Sequence, residues 1–319
     1  MWINKHQANV LRAAELFHEN KRGFSEIAKL LECPEEDIPQ LLDEAIESGT
    51  VEIKIKRPVD KFPTLALKIK NGLNLKEVVV VSAGHGLEQS FRNVGYASAE
   101  FLAQILKNNM KIGISWGKTL SYLVRQITIF PHDLKNIEVI QFIGGIGLGD
   151  PTMDGPDLAQ QLAKSLKGTY HYIHAPCVVE SVEIANELLN VKQIQDTINR
   201  SLESSIIITS VGSLEHDLSS LKRTGYFEKD PVPELLALGA IGHCMARLID
   251  SDGKPIKHEF NDRIVGAPLD VLRNAKYSIG IGAQHLKAPV FYAAIKGGLF
   301  NVLVIDDETA KELIRLADL

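Results

Sequence analysis

Only three cysteines occur in the 319 residues: Cys33, Cys177 and Cys244, widely separated and odd in number. That excludes a disulfide framework and a cysteine-based zinc site, and predicts a reducing, cytoplasmic setting. Long apolar runs are also missing. Nothing approaches the ~18 residues of a membrane span, and the opening MWINKHQANVLRAAELF lacks the basic-then-apolar order of a secretory leader. The expectation is a soluble chain with no membrane partner. Positive charge is scarce too: the formal net charge is −5, so nothing in the bulk composition attracts nucleic acid or an anionic surface. The shortage is sharpest in LLECPEEDIPQLLDEAIESG, residues 30–49, which hold seven acids and no Lys or Arg.

What is present is enough apolar material, 45% of the residues, to bury a sizeable core, and the length predicts two domains. Helical stripes run through Val10, Leu11, Ala14, Leu16 and Phe17, then Phe24, Ile27, Ala28, Leu30 and Leu31, then Ile38, Leu41, Leu42, Ala45 and Ile46. Gly49 stands where a helix-ending glycine is expected, and TVEIKIK then alternates as a half-buried strand does. Three short helices and a strand read as a small winged helix-turn-helix module over residues 1–57. RPVDKFPTLALKIKNGLN marks the boundary near residue 58, with a connecting helix before Leu73.

From 58 to 319 the pattern changes. Apolar, β-rich runs recur at EVVVVSA, KIGISW, IEVIQFIGG, YHYIHAP, SIIITSVGS, YSIGIGA and NVLVID, mostly separated by stretches of helical spacing. This predicts an α/β domain, a Rossmann-like parallel sheet covered by helices on both faces. Ligands of such sheets bind beyond the carboxyl ends of the strands. There, GISWGKTL offers Gly113 and Gly117 for close backbone approach, the hydroxyls of Ser115 and Thr119, and Lys118 at a helix start. A phosphate site and an unliganded tight turn both satisfy this octapeptide. Gly144 and Gly145 in FIGGIGLGD, Gly212 in IITSVGS, His243 in GAIGHC and Lys287 in GIGAQHLKAP lie at further strand ends. Converging, these loops could encircle a small phosphorylated polyol, with Lys118 and Lys287 as phosphate partners.

Other chemistry fits less well. GISWG spells the Gly-x-Ser-x-Gly of a hydrolase elbow, but only one strand precedes Ser115 in its domain, where that fold needs several. His171 and His174 sit three apart on an expected strand and point to opposite faces. IDSDGKPI lacks the later ligands of a calcium loop and reads as a hairpin turn, and His243 beside Cys244 has no further spaced ligands. No metal and no cofactor are expected.

IGISWGKTL, HAPCVVES, LGAIGHCMARLIDSDGKPI and KAPVFYAAIKGGLFNVLVIDDETAKELI resemble the SorC family of bacterial sugar-responsive transcription regulators, and the resemblance extends over nearly the whole chain. It implies an N-terminal helix-turn-helix joined to an effector domain similar to ribose-phosphate isomerase and glucosamine-phosphate deaminase. It also implies a phosphorylated sugar as effector and homo-oligomers, dimers or tetramers, on operator DNA. Carried over, the effector contacts fall on Ser115, Trp116, Gly117, Lys118, Thr119, Gly144, Gly145, Gly212 and Lys287. Two departures stand out. His243 replaces a usual Asp, and Ala283 and Gln284 replace a usual Gly-Gly. A sugar-phosphate isomerase or deaminase is the enzymatic alternative, but no acid and base are paired by the sequence, and the expectation is no enzyme.

The acidic segment keeps the family's inward residues, Ile27, Ala28, Leu30, Ile38, Leu41 and Leu42, but not its outward basic ones. Duplex DNA is gripped by Lys and Arg and read by Arg, Lys, Asn or Gln, and residues 30–49 offer only Gln40. Pro39 requires the third helix to begin there or to kink. DNA contact then rests on Gln40, on Lys21 and Arg22 before the second helix, and on Lys54, Lys56 and Arg57 of the wing strand. The alternative is a sensor whose degenerate helix-turn-helix contacts protein instead.

Overall fold

A computed structural model describes residues 4–51, 53, 58–130, 133–147, 151–214, 221, 226 and 232–319. The chain divides into two compact units, Met1–Arg57 and Pro58–Leu319.

The first unit holds α1 (Lys5–Ala14), α2 (Phe24–Leu31) and α3 (Ile38–Glu47). Asn4 caps α1 by accepting from the Gln7 amide at 2.8 Å, and Gln7 reaches back to the Asn4 amide, so two orphan amides are satisfied together. α1 continues as a π-helical turn, Glu15–Glu19. A 3-10 turn, Glu35–Asp37, precedes α3 and Pro39 sits in its first turn. The proline is therefore tolerated without a kink, where its missing N–H would have had no partner anyway. Val10, Ala13, Leu16, Ile27, Ile38, Leu42 and Ala45 form the core of this unit. Gly49 adopts φ 75° past the end of α3, as a helix-terminating glycine does. Of the expected wing strand, Glu52, Lys54, Lys56 and Arg57 lie outside the described residues.

The second unit is built on a seven-stranded sheet of order β1-β10-β9-β5-β2-β3-β4, every pair parallel. Its strands are β1 (Glu77–Val81), β2 (Lys111–Ile114), β3 (Glu138–Gln141), β4 (Thr169–His171), β5 (Ile206–Thr209), β9 (Tyr277–Gly282) and β10 (Val302–Asp306). The strands are β-branched and mostly buried on both faces, which is why they read as continuous apolar runs. Ile112, Ile114, Ile206, Ile208, Val302 and Val304 point to one face, packed under α5 (Leu87–Ile105), α6 (Lys118–Gln126) and α7 (Gly155–Ser165). Val78, Val80, Ile207, Leu303 and Ile305 point to the other, under α4 (Pro63–Gly72) and the two last helices, α10 (Ala288–Lys296) and α11 (Asp307–Leu316). Two further helices, α8 (Val182–Leu189) and α9 (Lys192–Leu202), lead into β5. At Gly95 an added Cβ would lie 2.4 Å from Tyr122 Cβ, so the close approach of α5 and α6 requires glycine.

Two sequence expectations need correction. SIIITSVGS is not one strand: the chain leaves the main sheet at Ser210, and β6 (Val211–Ser213) starts a separate antiparallel sheet with β7 (Gly242–Cys244) and β8 (Arg247–Ile249). Buried residues on both sides of the half-buried Ser210, Ile206–Thr209 and Val211–Leu214, hid the break. Likewise β4 ends at His171, which pairs with Glu138 at 3.2 Å, while His174 lies beyond it against the Tyr172 ring. Asp250–Gly253 forms the expected turn: the Gly253 amide donates to the Asp250 carbonyl at 3.0 Å and the Asp252 amide to its carboxylate at 2.9 Å.

Candidate functional site

From β2 the chain goes outward to β3 and β4, and it returns through β5 on the other side of β2. The strand order therefore switches direction between β2 and β5, where a crevice opens at the carboxyl edge. Ser115, just past β2, and Thr209, ending β5, meet across it with their hydroxyl oxygens 2.7 Å apart, both almost fully buried. A cavity of about 510 Å³ lies there.

α6 starts directly at this cavity. Gly117, with φ 134°, precedes it and supplies no side-chain cap. The first amides of the nine-residue helix, at Lys118 and Thr119 on the cavity wall, therefore carry the partial positive charge of an uncapped N-terminus. Leu87, the first residue of α5, and Lys287, immediately before α10, line the same cavity. Three helix starts thus converge. Lys118 is held at 3.1 Å from Glu88 and over the Phe91 ring at 5.0 Å. The Tyr122 hydroxyl and the Lys118 ammonium keep the Glu88 carboxyl below its usual range. Among the described residues lining the cavity there is no carboxylate.

His243 comes from β7, paired with Gly212 on β6. A Cβ at Gly212 would fall 1.9 Å from His243 Nε2, so only glycine leaves room for the ring. Burial, helped by the Lys287 ammonium, pushes His243 down to about 3. It is a neutral imidazole at physiological pH, able to donate or accept but adding no charge.

Ser115, Trp116, Gly117, Lys118, Thr119, Gly212, His243 and Lys287 all line this one cavity. Gly144 and Gly145 do not. Their amides bond the Val265 and Ala175 carbonyls at 3.0 Å each. A Cβ at Gly144 would meet the Pro176 carbonyl oxygen at 2.5 Å, so close chain packing accounts for glycine there. Met153, Met245, Leu87 and Phe91 also line the cavity and were not singled out in the sequence, because apolar residues in loops and helix stripes look like core. Gln284 lines it too, and in the sequence it showed only as a departure from Gly-Gly. Among the described residues no three His, Cys, Asp or Glu side chains gather as a metal site. Cys177 and Cys244 are buried, and burial raises both thiols, Cys244 to about 12, which makes them inert. No described helix is long and apolar enough to cross a membrane.

In the first unit Lys21, Arg22 and Gln40 are exposed, Arg22 pairing with Glu26 at 2.6 Å. Lys54, Lys56 and Arg57 lie outside the described residues.

A family model for a sugar-binding domain matches residues 58–315. The chain belongs to the SorC sugar-binding family. It is 27% identical over 306 residues to the deoxyribonucleoside regulator of Bacillus subtilis, covering 95% of this chain and 96% of that one. It is 25% identical to the sorbitol operon regulator of Klebsiella pneumoniae, covering 96% and 97%. The crystal structure of full-length SorC from Klebsiella pneumoniae superposes with a TM-score of 0.72 at 24% identity, over 96% of this chain and 98% of that one. At that identity the superposition speaks for the fold alone. All three of these relatives of the SorC-family chain are named as regulators.

Proposed function

We propose that this SorC-family chain is a DNA-binding transcriptional regulator of carbohydrate metabolism, switched by a phosphorylated sugar held in the β2/β5 cavity. One observation carries the ligand class: two ammonium groups, Lys118 and Lys287, and the uncapped start of α6 face a cavity with no described carboxylate in its wall. Such a lining suits a phosphate, while Ser115, Thr209 and His243 supply partners for hydroxyls. The same lining argues against an isomerase or deaminase. Among the described lining residues His243 is the only imidazole and there is no carboxyl group, and burial keeps the imidazole neutral near pH 7, so those residues offer no paired acid and base. The names of the relatives support the regulatory role; the same reading makes residues 1–57 a winged helix-turn-helix and the working form a homo-oligomer on DNA.

The test of the effector is a thermal-shift panel of pentose, hexose and triose phosphates. At least one compound raises the melting temperature, and Lys287→Ala removes most of that rise. A panel in which no sugar phosphate shifts the protein would reject the assignment.

A second reading rests on α3 and the turn before it, where Glu35, Glu36, Asp37, Asp43 and Glu47 are exposed. It makes the first unit a protein-contacting element. Fluorescence anisotropy with the chain's own upstream promoter and a scrambled duplex, at low and moderate salt, separates the two. Regulator binding prefers the promoter and weakens with salt; equal, negligible binding to both favours the second reading.

A further inference from the structure

Gln284 holds a backbone conformation that suits glycine. Its φ is 86° and its ψ 109°, whereas every other described non-glycine residue of positive φ lies between 51° and 62°, near the left-handed well that side chains tolerate. The surroundings impose this geometry. The Gln284 amide donates to Asp306 Oδ2 at 3.2 Å, and the buried Asp306 also accepts from the Ser90 hydroxyl at 2.5 Å and the Thr309 amide at 2.7 Å. The Gln284 carbonyl accepts from the Lys287 amide at 3.0 Å, closing the 3-10 turn that carries Lys287 to the cavity.

Both bonds made by residue 284 itself use its backbone atoms, so glycine would make them with less strain. The side chain must serve something else. Gln284 lines the 510 Å³ cavity and also a smaller one of about 210 Å³, and Leu87 borders both. It is half-buried, and its carboxamide makes no hydrogen bond to any described residue. A carboxamide offers two donors and an acceptor, the complement of a polyol's hydroxyls, whereas a phosphate is matched by Lys118, Lys287 and the α6 start.

We propose that Gln284 is a specificity-determining residue, its carboxamide reading the hydroxyl pattern of the sugar while the lysines hold the phosphate. The inference rests on the sugar-phosphate reading of the cavity and adds which residue selects among such ligands.

The test is calorimetric titration of wild type, Gln284→Gly and Gln284→Ala with ribose 5-phosphate, glucose 6-phosphate, fructose 6-phosphate, glycerol 3-phosphate and inorganic phosphate. Both variants should bind the preferred sugar phosphate about threefold to tenfold more weakly and inorganic phosphate as wild type does. Ligand-free Gln284→Gly should melt about 2–4 °C above wild type as the strain is released. If wild type binds a sugar phosphate and both variants match it across the panel, the Gln284 inference is overturned and the cavity reading stands. If wild type binds no sugar phosphate, the cavity reading fails and the inference goes with it. A lower melting temperature for Gln284→Gly would remove the strain and overturn the inference as well.

Discussion

His243 sets the pH behaviour expected at the scale of single residues. Its folded pKa is depressed to about 3 by burial and by the Lys287 ammonium, while in the unfolded chain it titrates near ~6.5. Between these values the unfolded state binds a proton that the folded state does not, so stability falls as pH drops from about 6.5 towards 3 and is unaffected by this group above that window. Urea denaturation across pH 4–8 should show a shallower acid slope in His243→Gln than in wild type; identical slopes would mean the ring is not buried neutral. Its neighbour Gly212 supplies a second prediction. The Cβ of Gly212→Ala would overlap the imidazole at 1.9 Å, so we expect a loss of about 1–3 kcal/mol and of the sugar-phosphate thermal shift together. Gly212 and His243 were both visible in the sequence as strand-end residues, but their mutual dependence was not, because it comes from the β6/β7 pairing of residues far apart in the chain.

Among the elements, α6 and α3 make opposite electrostatic arguments. α6 begins with a glycine and a lysine at a strand end, so its suitability for an anion is written in consecutive residues, GISWGKTL, and survives folding unchanged. The α3 region buries Ile38, Leu41, Leu42 and Ala45 and leaves its acids outside, so its packing is sound while its surface repels phosphate. If DNA lies against this surface, Glu35→Lys with Glu36→Lys should tighten promoter binding by at least about tenfold at low salt and steepen the salt dependence. Unchanged affinity in anisotropy titrations would place α3 away from the duplex. Both substitutions fall on exposed positions of a 3-10 turn, so little change in melting temperature is expected.

At the scale of the whole molecule, each unit has its own apolar core, Val10 to Ala45 in one and the two faces of the seven-stranded sheet in the other. We therefore expect residues 58–319 expressed alone to unfold cooperatively and to keep the sugar-phosphate thermal shift while losing any DNA affinity. A fragment that is unfolded by circular dichroism would contradict that independence. The layered α/β plan was legible in the sequence because strands buried on both faces are apolar throughout and amphipathic helices repeat every three to four residues, both local signals. The glycine, serine and lysine at strand ends were legible for the same reason. What only the tertiary structure decided is which of those ends meet. The β2/β5 switch joins Ser115 to Thr209 and brings Lys118, His243 and Lys287 to one cavity, but leaves Gly144 and Gly145 packed against residues 175, 176 and 265. Strand order is a property of pairing between distant segments, and no local pattern encodes it. The backbone of Gln284, imposed by a carboxylate twenty-two residues further on, is decided in the same way.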